Sequence, residues 1–318
     1  MKLLMENWRK FINEQEGSKL DAVANALASP NTSLAQYVAV LKRYAGDPSF
    51  EKLATAGQTD GDPKDEQVKV QRTATAAAKL TATQAEIGFD NSLKDQMTNP
   101  QYNPPPVNAA LGLAGTPIIM PSQDDPPPPI LVYNGKYILD GHHRWSQIMM
   151  MNPTGVVAID NVTGPALDDE EEALKAMQMA IAVAADNVKT KPFKGQNLMG
   201  ASEQEVMQYV VSNITDDVLN LLVKAEKIEQ PDKKLAAAYV AGNLKVIKSR
   251  QGKFSREKSM PQAGASGTSQ DTVNSLLGTG KVNFEVPKGS DIKGAGKLGS
   301  AGMRGGKSGF AGSLKEDK

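Results

Sequence analysis

Residues 130–153 read ILVYNGKYILDGHHRWSQIMMMNP, and this stretch decides the fold. Two apolar runs, Ile130-Leu131-Val132-Tyr133 and Lys136-Tyr137-Ile138-Leu139, flank Asn134-Gly135. Asn-Gly between such runs predicts a β-hairpin, because both residues tolerate the positive φ of a type I′ turn. The second strand runs into Asp140-Gly141-His142-His143-Arg144. A helix follows, with Trp145, Ile148 and Met149 on one apolar face and Asn152-Pro153 as its stop. The predicted order is strand, turn, strand, glycine corner, helix.

The corner collects polar chemistry at a helix N-terminus, where free backbone N–H groups and the helix dipole favour an anion such as phosphate. Both histidines of the chain lie there. Gly141 permits a sharp turn, and the amides after it can cradle a phosphate. Arg144 offers a fixed, forked charge for phosphate oxygens. His142 or His143 can donate to a phosphate or transfer a proton near neutral pH. Asp140 can hold Mg²⁺, orient a histidine or cap the helix. The competing reading is structural: Asp140 caps, one histidine packs, and Arg144 pairs with an acidic neighbour. Two adjacent histidines without thiolates or a spaced third ligand do not predict zinc.

LVYNGKYILDGHHRW resembles the core of the ParB/sulfiredoxin superfamily, in the branch whose pattern is strand, DGHHR, helix. ParB proper has a Gly-Glu-Arg-Arg type of corner, and sulfiredoxin a Gly-Cys-His-Arg one. The resemblance implies an α+β fold with a small mixed sheet. It also implies a nucleotide- or phosphate-binding corner at Asp140, Gly141, His142, His143 and Arg144, tied in some members to nuclease or kinase activity. Mg²⁺ and a nucleotide are the cofactors it suggests, with Asp140 on the metal. Residues 81–93, TATQAEIGFDNSL, resemble the strand and turn that such members place before their core. Kinase members draw a catalytic base from this region, which makes Glu86 the candidate beside His142 and His143. The chain departs from the pattern at 99–129, where prolines replace the usual helix and leave Asn108-Ala109-Ala110-Leu111 as a reduced version.

Composition narrows the classes. Lys plus Arg and Asp plus Glu both number 36, so no global charge argues for nucleic acid or a membrane surface. The chain has no cysteine, which excludes disulfides, thiolate metal sites and the peroxide chemistry of sulfiredoxin. No apolar run is long enough to span a bilayer.

Along the chain, residues 1–16 form an amphipathic helix through Leu4, Trp8, Phe11 and Ile12. It is either a docking helix or, by resemblance, a capsid-targeting propeptide of a tailed-phage internal head protein. Such propeptides end at a Leu/Ile-X-Glu site cut by the prohead protease, and Ile12-Asn13-Glu14 fits. The implied locations are host cytoplasm or virion, with capsid or prohead components as partners. Residues 17–45 are expected as a helical hairpin that packs on itself, and 46–79 as a linker whose Asp60-Gly61-Asp62 is a turn, not a calcium loop. Residues 70–80 suit a short helix or an extended segment.

The ParB/sulfiredoxin-like domain is set at 80–165, with short strands at 116–120 and 155–160. A helical domain covers 166–250. Its helices are expected from Asp168 to Asn187, from the Ser202-x-x-Glu205 capping box to about Val211, over 215–229, and over 232–245 with Pro231 in a first turn. From 251 to 318 a flexible basic Gly/Ser/Lys tail is expected. Residues 245–258 hold six basic side chains and one acidic one, either a contact for DNA or RNA phosphates or a solvated helix end. Residues 302–308, GMRGGKS, imitate a P-loop but lack its first glycine and a preceding strand.

Overall fold

A computed structural model describes residues 32–44, 68–99, 107–113, 130–163, 170, 171, 174, 175, 178, 188, 190–260 and 282–285. The expected N-terminal helix, the first half of the helical hairpin, the 60–62 turn, the 116–120 strand and the P-loop-like segment lie outside these residues. In chain order the elements are α1 (Leu34–Tyr44), β1 (Val68–Ala76), β2 (Thr81–Ala82), α2 (Phe89–Thr98), α3 (Val107–Ala110), β3 (Ile130–Tyr133), β4 (Tyr137–Asp140), α4 (His142–Met151), β5 (Val156–Thr163), α5 (Glu203–Asn213), α6 (Asp216–Lys224), α7 (Lys233–Lys248) and β6 (Val282–Glu285). Single turns of 3-10 helix occupy Ala77–Lys79 and Leu198–Gly200. The fold is α+β, as expected, with one mixed six-stranded sheet in the order β2-β4-β3-β5-β1-β6.

The hairpin forms as its sequence predicts. Asn134 (φ 52°) and Gly135 (φ 64°) supply the paired positive φ of a type I′ turn, and β3 and β4 pair antiparallel with a bulge between Leu131 and Val132. β5 joins β3 in parallel, β1 joins β5 antiparallel, and β2 lies parallel to β4 at the sheet edge. β2 and β4 therefore finish at the same end of the sheet, which brings residues 83–86 beside the corner after Asp140.

Alternation along the central strands sorts their side chains. Ile130, Val132, Ile138, Val157 and Ile159 join the buried cluster with Trp145, Ile148 and Met149 of α4. Burial of such side chains contributes roughly 1.5–3 kcal/mol each, which makes this face the main source of stability. Trp145 is fully buried, and its indole N–H finds Ala77 O at 3.0 Å. The same cluster takes in Leu198, Val206, Val210 and Val218, and Val240, Leu244 and Ile247 of α7. Asn243 Nδ2 and Tyr239 Oη donate to Met150 O and Met151 O, both at 2.8 Å, satisfying carbonyls at the end of α4.

Several expected boundaries are corrected. The linker 46–79 contains β1 and a 3-10 turn: at 70–80, where Ala and Thr pull towards helix and strand respectively, pairing with β5 selects the extended form. Residues 166–250 do not form a separate helical domain, because α5, α6 and α7 share the core of the sheet. The flexible tail does not begin at 251, since residues 251–260 are hydrogen-bonded to 83–86 and β6 pairs with β1. The capping box is present, with Ser202 and Glu205 exchanging hydrogen bonds, whereas Pro231 falls one residue before the Asp232 N-cap of α7. The described positions 170, 171, 174, 175 and 178 are helical. α1 docks there, with Leu34 N–H donating to Glu171 Oε1 (2.7 Å) and Lys175 Nζ to Thr32 O (2.8 Å), a partner the self-packing hairpin did not include. Among the described residues no helix is long and apolar enough to cross a membrane.

Candidate functional site

Gly141 is the N-cap of α4 at φ 96° and ψ 18°, a left-handed conformation that costs an L-residue about 1–2 kcal/mol. It turns the chain from β4 into the helix within one residue. Gly141 brings no side chain to cap α4, and the first turn of the helix carries no acidic residue. The C-terminal helices behave differently. Ser202, Thr215 and Asp232 each cap their helix through a side-chain oxygen, and α5 and α6 begin with carboxylates. The first turn of α4 instead holds His142, His143 and Arg144, of which the Arg144 charge opposes the dipole preference by a few tenths of a kcal/mol.

His142 is buried and points back at the sheet edge. Its Nε2 lies 3.3 Å from both the Thr83 and Gln84 backbone N–H groups and 3.2 Å from Thr83 Oγ1. Two backbone donors on one ring nitrogen require an acceptor there, so the ring is neutral with its proton on Nδ1. Burial, then His143 and Arg256, push its pKa down to about 3. Thr83 Oγ1 meanwhile donates to Ile138 O at 2.6 Å. His142 thus ties α4 to the end of β2.

His143 is half-buried, its Nε2 enclosed without a hydrogen-bond partner among the described residues. Burial first, then Arg256 and Arg144, push its pKa down to about 4. Arg144 belongs to a charge row across the sheet. Asp140 pairs with Leu131, Leu131 with Asp160 and Asp160 with Arg72, so these four residues share one face. Arg72 donates to both Asp160 oxygens, at 2.8 and 3.0 Å, with both side chains buried. Burial lowers the Arg144 pKa, while Asp140 and then Asp160 oppose that shift. Two carboxylates and two arginines thus act on one another here, and the buried Arg72–Asp160 pair depends on both partners.

Glu86 is half-buried on the segment after β2, and its Oε2 accepts the backbone N–H of Arg256 at 2.8 Å. Gln84 Nε2 donates to Glu86 O. The structure therefore brings all six predicted residues, Glu86, Asp140, Gly141, His142, His143 and Arg144, to one end of the sheet. It adds residues that local reading did not assign there: Arg72 and Asp160, the amides of Thr83 and Gln84, and Arg256. The basic run 245–258 was the available signal for Arg256, but nothing local says where that run lands.

A strap of residues 250–260 carries Arg256 along the free side of β2. Ala82 N–H donates to Arg250 O (2.9 Å), Phe254 N–H to Thr83 O (3.0 Å) and Ala85 N–H to Phe254 O (2.8 Å). Gly252 makes the approach possible: a Cβ there would sit 2.2 Å from Thr83 C and 2.3 Å from Thr83 O.

The donor set fits an anion better than a cation. Among the described residues no group of three or more His, Asp or Glu side chains is placed to hold a metal ion. Asp140 faces Arg144, Asp160 is bound by Arg72, and Glu86 already accepts an amide. Mg²⁺ would find Asp140 alone here, so no chemical step is assigned to a metal. Comparison with protein-family models, with curated proteins and with solved structures gave no match.

Proposed function

We propose that the chain is a ParB/sulfiredoxin-like protein of a tailed phage that binds a nucleotide or another phosphate compound at the Asp140–Arg144 corner. One observation carries this reading: α4 opens on a left-handed glycine, and its first turn holds His142, His143 and Arg144 and no carboxylate. A phosphate there would meet the positive end of the helix dipole and the Arg144 and Arg256 charges that both act on His143. The strand–corner–helix order agrees with the resemblance of LVYNGKYILDGHHRW to that superfamily.

Binding is favoured over turnover. His142 Nε2 is occupied by two backbone donors, and Glu86 Oε2 by a third. His142 cannot take a proton from a nucleophile without giving up these contacts, and a nuclease or phosphotransferase reading, which would fall to Glu86 Oε1 or His143, stands second.

Calorimetry with ATP, ADP and CTP, with and without Mg²⁺, tests the proposal on wild type and Arg144→Ala. Micromolar binding is expected in the wild type. Loss of one charged hydrogen-bond donor should weaken it about tenfold to a hundredfold, with thermal melts confirming that the variant folds. Absence of binding by the wild type to all three nucleotides overturns the proposal. The virion location has its own test, the mass of the N-terminal peptide in mature particles. Cleavage after Glu14 is expected, and an intact N-terminus there removes the internal-head reading.

A further inference from the structure

We propose that Arg256, carried on the 250–260 strap, is a ligand-contacting residue of the corner, so that the phosphate site is shared between α4 and the strap and ligand binding locks the strap onto β2. This inference rests on the phosphate reading of the corner and goes beyond it in assigning the contact and its structural consequence.

Three observations converge on it. The first is position. The strap runs against residues 82–85 through three backbone hydrogen bonds, and Arg256 N–H is held by Glu86 Oε2 at 2.8 Å. His142, anchored on the Thr83 and Gln84 amides, lies beside that same short segment. Arg256 is close enough to act electrostatically on both histidines, which brings a residue from after α7 to the first turn of α4.

The second is unspent bonding capacity. Arg256 Nε and His143 Nε2 are both enclosed, and both lack a hydrogen-bond partner among the described residues. Enclosing an unsatisfied polar group costs about 1–3 kcal/mol. Glu86, the carboxylate in contact with Arg256, is engaged through the Arg256 backbone amide. An oxyanion can accept from the guanidinium and from the imidazole, with its proton on Nε2, in one event.

The third is the contrast with Arg144. Its charge is countered in part by Asp140 and Asp160. Among the described residues Arg256 makes no ion pair of its own. The ligand class that follows is a phosphate or pyrophosphate group, compact enough to touch both His143 and Arg256. A longer polyanion would have to bring such a group to this corner.

The linkage has a direct consequence. If the ligand bridges α4 and the strap, it binds only the docked strap and stabilises that state by mass action. Backbone amides of Ala85 and Phe254, which close the strap onto residues 83–85, should then exchange more slowly with ligand present.

Inorganic pyrophosphate is the probe, titrated without metal into the full chain by calorimetry and followed by hydrogen exchange. Arg256→Ala spares the backbone N–H that Glu86 accepts. It should bind about tenfold to a hundredfold more weakly and lose the ligand-induced protection at Ala85 and Phe254. Lys258→Ala, an exposed charge on the same segment, serves as the control and should bind within about twofold of wild type, the effect of a screened surface charge. Wild-type binding that Arg256→Ala leaves within twofold overturns this inference and leaves the corner reading intact. Equal weakening by both variants also overturns it, as a general charge effect. If the wild type binds neither pyrophosphate nor the three nucleotides, both proposals fall. Should Arg256→Ala not fold, Arg256→Lys keeps the charge but loses the fork, and unchanged affinity and protection there overturn the assigned contact.

Discussion

Acid should loosen this protein through His142. In the folded chain the ring accepts the Thr83 and Gln84 amides and is held neutral, with a pKa pushed from 6.5 down to about 3. Unfolding frees it to take a proton at its ordinary value. Between those two pKa values the unfolded state binds more protons than the folded state, so stability falls as pH falls. The contribution is complete above about pH 6.5, and its loss continues as pH drops towards 3. From pH 7 to pH 4.5 the loss through this one residue is about 2–3 kcal/mol, taking about 1.36 kcal/mol per pKa unit. His143, pushed down to about 4, acts in the same direction.

Urea unfolding at pH 7.0 and 4.5 measures the effect as a change in midpoint at constant slope. In His142→Gln the protein should be less stable at pH 7, because the buried Thr83 and Gln84 donors lose a well-placed acceptor. Its fall in stability between the two pH values should be smaller by about 2–3 kcal/mol. With two histidines in the chain, imidazole NMR provides an independent check on two sets of signals. In the folded protein neither should titrate near 6.5. Equal pH dependence in wild type and variant, or a folded-state histidine titrating at 6–7 and assigned to residue 142, would refute the reasoning.

Asp160→Ala should destabilise the fold by about 3–5 kcal/mol in urea unfolding, because it leaves Arg72 buried without its bidentate partner. Gly141→Ala should lose about 1–2 kcal/mol for an L-residue at left-handed φ and should also weaken pyrophosphate binding, since its Cβ would meet Arg144 Nη2 at 3.0 Å. In Gly252→Ala the new methyl would overlap the Thr83 backbone. The expected result is a loss of about 1–3 kcal/mol with faster hydrogen exchange at Phe254 and Ala85, and unchanged exchange there would exclude the close packing of the strap.

What the sequence determined by itself was local. The Asn134-Gly135 turn, the strands on either side of it, the glycine corner, the α4 stop at Asn152 and the Ser202–Glu205 box all depend on residues within a few positions of one another. Their conformations follow from φ preferences and from side chains that reach their own backbone. The predicted site residues were legible for the same reason, since five of the six are consecutive. Tertiary structure alone decided the rest. β1 is Ala- and Thr-rich and carries no clear period, and it is a strand because β5 offers it a ladder. Arg72 finds Asp160 88 residues away, Thr83 finds His142 59 residues away, and Arg256 finds Glu86 170 residues away. An arginine or a histidine has the same local sequence preferences whether its partner is a carboxylate, an amide or water. Which one it meets, and so whether it is a support, an anchor or a ligand contact, is set by which strand and which strap the packed core brings alongside it.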